Sequence, residues 1–218
     1  MPSIRKGQKL FKGIDYIGNF LGEPIALGNI YRCDDRSFVL LANVSDLIPD
    51  LNLSSITDTG SKQNITYTKE SNISVKVGAQ ADASVGKGEI ELTFARKNSA
   101  FVSLKDVTVS TLKLQLLEER LKSVWKSKRY KNDGINFAVF QIMNAQSGTV
   151  IFSEERNNKV VLKATTDEKL SSIAKAGSGN VEFVTNTKAT LEIISNQPIL
   201  PMFKGFYFDK NGEIEVIG

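Results

Sequence analysis

The chain has 218 residues, 41% hydrophobic and 24% charged, with a formal charge of +4, one cysteine (Cys33) and no histidine. This is long enough to bury a sizeable core and is the composition of a folded, non-membrane-resident protein. Without an imidazole, Ser–His and Cys–His catalysis and the usual zinc hydrolases are excluded. The lone cysteine excludes an intrachain disulfide framework and suits a reducing cytoplasm.

No stretch approaches the roughly eighteen apolar residues of a membrane-spanning helix, and the N-terminus lacks the apolar core of a secretory signal. A membrane role would therefore use strands or a surface helix. Residues 1–13 place Arg5, Lys6, Lys9 and Lys12 around Ile4, Leu10 and Phe11. Such a segment suits an anionic lipid surface, and equally a solvated tail, which is the commoner case. Phe38 to Val44 reads as a buried strand, with Ser45 and Asp46 capping a short turn before Pro49. Residues 52–71, rich in Ser, Thr, Asn and Asp, read as loop plus a strand near Ile65 to Tyr67.

The stretch that follows has the strongest pattern in the chain. Ile73, Val75, Val77, Ala79, Ala81, Ala83 and Val85 occupy every second position, alternating with Ser74, Lys76, Gly78, Gln80, Asp82 and Ser84. Gly86-Lys87-Gly88 offers a turn, after which Ile90, Leu92 and Phe94 alternate with Glu89, Glu91 and Thr93. This period of two predicts a long β-hairpin with one greasy and one wet face. Ala100 to Leu104 reads as another strand. Ser110 or Thr111 is then expected to cap a helix running to about Tyr130, with Leu112, Leu116, Leu117, Leu121, Val124 and Trp125 as its apolar stripe.

The second half of that helix carries Lys122, Lys126, Lys128, Arg129 and Lys131. Cations at a helix C-terminus complement its dipole. Five of them also suit a phosphate-rich surface, whether lipid headgroup or nucleic acid. Ile135 to Met143 reads as a buried central strand, with Thr149 to Ser153 pairing back after a turn at residues 146–148. Alternation then returns through Val160, Leu162 and Ala164. After the turn at Gly177-Ser178-Gly179-Asn180 it continues through Val181, Phe183, Ala189, Leu191 and Ile193, a second and less regular hairpin. Phe203 to Phe208 and Glu213 to Ile217 form a closing hairpin around Asp209-Lys210-Asn211-Gly212.

Catalytic and metal-binding constellations are not found in the sequence, and no cofactor is expected. The doublets Glu154-Glu155 and Asp167-Glu168 place neighbours on opposite faces of a strand. Gly86-Lys87-Gly88 lacks the context of a P-loop, and Gly177-Ser178-Gly179 that of a nucleophile elbow. What stands out is architectural. A membrane-spanning strand needs about nine to eleven alternating residues, and both hairpins meet that length. In lipid they would insert only as parts of a closed barrel made from many subunits. An α+β protein with long curved strands is the plainer reading of the same pattern.

The order and spacing of these elements resemble the pore-forming N-terminal domain of gasdermins from about Leu47 to Ile217. The resemblance is carried by KESNISVKVGAQADASVGKGEIELTF, AFVSLKDVTV, the helix LKLQLLEERLKSVWKSKRY, the strand INFAVFQIM, the IFSEE segment, the second hairpin and LPMFKGFYFDKNGEIEVI. It implies an α+β fold with a twisted, mainly antiparallel central sheet, long amphipathic hairpins and packed helices. Residues 1–218 would form a single pore-forming domain, with no inhibitory C-terminal domain visible.

The resemblance further implies a non-enzymatic protein that oligomerises on acidic membrane lipid and inserts two hairpins per subunit into a large β-barrel pore. The outcome would be lytic cell death or abortive-infection defence. Hairpin 1 would insert through Ile73, Val75, Val77, Ala79, Ala81, Ala83, Val85, Ile90, Leu92 and Phe94. Hairpin 2 would insert through Val160, Leu162, Ala164, Val181, Phe183, Ala189, Leu191 and Ile193. Lipid contacts would come from Arg5, Lys6, Lys9, Lys12, Lys126, Lys128, Arg129 and Lys131. Such a protein is cytoplasmic when soluble and at the inner face of the plasma membrane when active, restrained by an inhibitory segment or protein partner, or activated by a protease. The alternative is a binding module whose basic helix contacts nucleic acid or an acidic protein; the pore reading expects no nucleic acid.

Overall fold

The computed structural model describes residues 16–19, 24–34, 37–68, 73–77, 89–97, 99–128, 130, 136–153, 155–164, 181–186, 190–195 and 197–217. In chain order the elements are strands β1 (Ile17–Gly18), β2 (Asn29–Asp34) and β3 (Ser37–Asn43), a one-turn helix α1 (Val44–Leu47), and strands β4 (Thr57–Thr59), β5 (Gln63–Thr68), β6 (Ile73–Val77), β7 (Glu89–Phe94) and β8 (Ser99–Leu112). Helix α2 (Glu118–Ser127) follows, then β9 (Asn136–Ala145), β10 (Ser147–Ser153), β11 (Asn158–Ala164), β12 (Val181–Asn186), β13 (Thr190–Ser195), β14 (Ile199–Phe208) and β15 (Ile214–Ile217). The described part is thus mainly antiparallel β-structure with few helices, leaning towards the α+β class. It divides into two compact units.

The first unit comprises residues 1–61, 108–144 and 202–218. β9 is the long buried strand expected at Ile135–Met143, with Phe137, Ala138 and Val139 fully inaccessible. It pairs with β2 through Ile30↔Ala138 and with the end of β8 through Val109↔Met143. β14 carries β1 and β15, the latter as the expected closing hairpin. Its turn is held by Asp209, whose carboxylate accepts the Asn211 and Glu213 backbone N–H groups at 2.9 and 2.8 Å. Helix α2 buries Leu121 and Trp125, and Trp125 meets Tyr130, Phe206 and Phe208 with ring centroids 5.0, 6.4 and 5.7 Å apart.

Three expectations are corrected in this unit. Ser110 and Thr111 do not cap a helix, because both belong to β8. The Ser110 hydroxyl lies 3.1 Å from that of Thr59, and Thr111 Oγ1 accepts the Gln141 side-chain N–H at 2.7 Å. With Leu112 buried opposite Thr57, the strand outcompetes the helix, which starts only at Glu118. Leu116 consequently drops out of the apolar stripe and stands 61% exposed. In β3 only part of the FVLLANV run is buried. Phe38 is inside, whereas Val39 and Leu40 are exposed on a strand that, among the described residues, pairs only with β2. Helix α1 is capped by Asn43, whose side chain accepts the Ser45 N–H while the Asp46 carboxylate accepts the Asn43 N–H. This is the reciprocal capping box, and it starts two residues earlier than the turn expected at Ser45.

The second unit comprises residues 62–107 and 145–201. Here β5, the first half of β8, β10 and β13 pair side by side. The expectation that Thr149–Ser153 pairs back on the preceding strand is also corrected. β10 instead lies between β8 and β13, through Ile151↔Phe101 and Ile151↔Glu192. Its Gly148 sits against the Leu104 side chain, where a Cβ would fall 2.4 Å from a Leu104 methyl, so a larger residue would force Leu104 to shift. A second, four-stranded sheet has the order β12-β11-β7-β6.

Candidate functional site

The four-stranded sheet is made of the two alternating segments. Within hairpin 1, Ile73 lies opposite Phe94, Val75 opposite Leu92 and Val77 opposite Ile90. Hairpin 2 joins it directly, since Leu92 also lies opposite Val160 and Ile90 opposite Leu162. Leu162 in turn lies opposite Phe183, and Ala164 opposite Val181, across a bulge at Val161/Leu162. The apolar positions therefore run in rows across the sheet, such as Val77–Ile90–Leu162–Phe183. The intervening rows carry charge of alternating sign, Lys76–Glu91 and Glu89–Lys163–Glu182. A Lys159–Glu91 ion pair of 3.5 Å crosses the seam between the hairpins, and Glu91 is largely buried there.

The greasy face is covered within the same unit. Ile73, Leu92, Phe94, Val160 and Leu162 form one buried cluster with Phe101 of β8 and Ile151 of β10. Strand alternation puts Ser99 and Ser103 on the same face as Phe101, and Thr149 and Ser153 on the same face as Ile151. All four are buried, and the Ser103 hydroxyl has no hydrogen-bond partner among the described residues. The covering surface is thus a narrow apolar patch flanked by small polar residues. The Asn158 side chain reaches across to donate to Ser153 Oγ at 2.9 Å.

Leu191 and Ile193 are not in this sheet. They lie on β13, opposite Phe152 and Val150 of β10. The return strand of hairpin 2 ends at Asn186 on β11, and the next strand takes the edge of β10 instead. Ala79, Ala81, Ala83, Val85 and Ala189 lie outside the described residues, as do Arg5, Lys6, Lys9, Lys12, Arg129 and Lys131.

In the first unit, Lys126 and Lys128 are exposed on the last turn of α2, as their spacing predicts. Lys126 also lines a cleft of about 390 Å³ between α2 and the 209–212 turn, shared with Lys122, Lys210, Trp125 and Tyr130. Gly212 has a φ of +77°, and a Cβ there would fall 2.9 Å from Lys122 Nζ, so the glycine lets the lysine lie across the turn. Burial pushes the Tyr130 phenol pKa up from its ordinary value. Lys210 did not register as a site residue in the sequence, because only tertiary structure brings its turn to the helix.

No helix among the described residues is long and apolar enough to cross a membrane, which has no bearing on strands. No protein-family model and no curated protein matches the chain.

Proposed function

We propose that this chain is a gasdermin-like pore-forming protein, its residues acting as one domain that assembles on acidic lipid and inserts its two hairpins as part of a multi-subunit β-barrel. The carrying observation is the four-stranded sheet, in which both hairpins are already neighbours with apolar and charged rows in register. Lengthened and turned into a bilayer, such a sheet offers one face to lipid and a charge-bearing face to a water-filled lumen. Its outer strands, β6 and β12, pair on one side only among the described residues, as a sheet that must close with other subunits requires. The cover supports the same reading. Separating the sheets exposes the apolar side chains of the buried cluster but rehydrates the Ser103 hydroxyl, whose unsatisfied state costs about 1–3 kcal/mol.

On this reading the protein is cytoplasmic until activated and then acts at the inner leaflet, in lytic cell death or antiviral defence. Lys126 and Lys128, with the N-terminal cations, make the first lipid contact.

Dye-release measurements on the full chain test this. Release is expected from vesicles containing phosphatidylserine or cardiolipin and not from phosphatidylcholine alone. It should fall as salt rises from about 0.1 to 1 M, where the screening length contracts from about 10 to 3 Å. Intact vesicles under every lipid composition, with the protein folded and freed of any inhibitor, would overturn the proposal.

A further inference from the structure

We infer that the cleft between α2 and the 209–212 turn is a binding site for a phosphate monoester or pyrophosphate group. The inference concerns the same basic helix as the pore reading and does not require a membrane. Three lysines, Lys122, Lys126 and Lys210, line the cleft from two elements far apart in sequence. Among the described residues the one carboxylate in its wall, Asp209, is turned inward on its own hairpin. It accepts the backbone N–H of Asn211 and Glu213 and, at 3.2 Å, the Asn211 side-chain amide.

Three like charges around one concavity repel each other, and a multiply charged anion relieves that repulsion. Charge-assisted hydrogen bonds from lysine to phosphate are about twice as strong as neutral ones. A second observation also points to a ligand. The indole N–H of Trp125 is buried with no hydrogen-bond partner among the described residues, and Trp125 is one of the residues lining this cleft. Tyr130 lines the cleft as well, and the volume of about 390 Å³ falls in the range of small-molecule sites.

Trp125 is the only tryptophan in the chain, so its emission reports on this cleft alone. Titrating the full chain with inorganic pyrophosphate is expected to change that emission saturably. Lys122→Gln and Lys210→Gln should each weaken binding by about tenfold or more, in line with loss of a charge-assisted bond. Lys62→Gln, a change at an exposed lysine of the other unit, should leave binding unchanged. A change that does not saturate, that sodium chloride reproduces at equal ionic strength, or that ignores Lys122 and Lys210 would overturn the site.

Vesicles separate the two sources of phosphate. A preference for phosphatidic acid over phosphatidylserine that Lys210→Gln removes identifies a lipid headgroup. Pyrophosphate binding with no such preference identifies a free phosphorylated ligand, and either result supports the site. The two proposals also fail separately. Saturable pyrophosphate binding without dye release removes the pore and keeps the cleft, whereas dye release without pyrophosphate binding does the reverse.

Discussion

Replacing Ala81 with arginine is expected to abolish dye release from anionic vesicles while leaving vesicle binding intact. Ala81 lies outside the described residues, so the expectation rests on its place in the alternation from Ile73 to Val85. That parity puts it on the face that would meet lipid, near the middle of a strand long enough to span. An arginine at the bilayer midplane of a β-barrel costs about 2–4 kcal/mol, and in an assembled pore that cost recurs in every subunit. Arginine also adds positive charge, so electrostatic attraction to the vesicle is not lost, and co-sedimentation should match the unsubstituted protein. Arginine at the neighbouring Gln80, on the opposite face, should be tolerated. Equal release from the Ala81 and Gln80 variants would contradict the assignment of faces.

Truncating Phe94 to alanine is expected to lower the unfolding free energy of the soluble protein by about 3–5 kcal/mol, the range for a large aromatic in a packed core. Phe94 is wholly inaccessible within the cluster that joins hairpin 1 to Phe101 and Ile151. Its carbonyl also accepts the Asn157 backbone N–H at 2.7 Å, a bond the substitution leaves in place. The loss is therefore one of packing. Ser74, on the wet face and exposed, should tolerate alanine within about 0.5 kcal/mol. Denaturant unfolding measures both. A loss below about 1 kcal/mol for Phe94→Ala would mean that the greasy face is not covered in the soluble state.

Local patterns were the legible part of this chain. The period of two gave the β6–β7 pairing, the apolar runs gave β9 and β14, and Asp209-Lys210-Asn211-Gly212 gave the last turn. What failed was competition between local preference and distant partners. Ser110 and Thr111 look like caps because their hydroxyls seek nearby backbone N–H groups. In the fold those hydroxyls find Thr59 and Gln141 instead, and β8 extends to Leu112. Leu191 and Ile193 continue an alternation that reads as hairpin 2, yet their backbone pairs with β10. The meeting of the two hairpins at β7 and β11 was equally hidden, since a sequence period fixes which face a residue takes but not which strand lies alongside. The cleft around Trp125 needed Lys210, some eighty residues from α2, and no local signal joins them.

In the proposed pore, hairpin 1, covered in the soluble protein at residues 73–77 and 89–94, changes into strands that span a bilayer. The most direct measurement places single cysteines, in a Cys33→Ala background, at positions 79 to 84 and labels each with an environment-sensitive fluorophore. On anionic vesicles, labels at Ala79, Ala81 and Ala83 should be quenched by nitroxide lipids, and labels at Gln80, Asp82 and Ser84 by aqueous iodide. Iodide quenching at all six positions, with no alternation, would contradict the account.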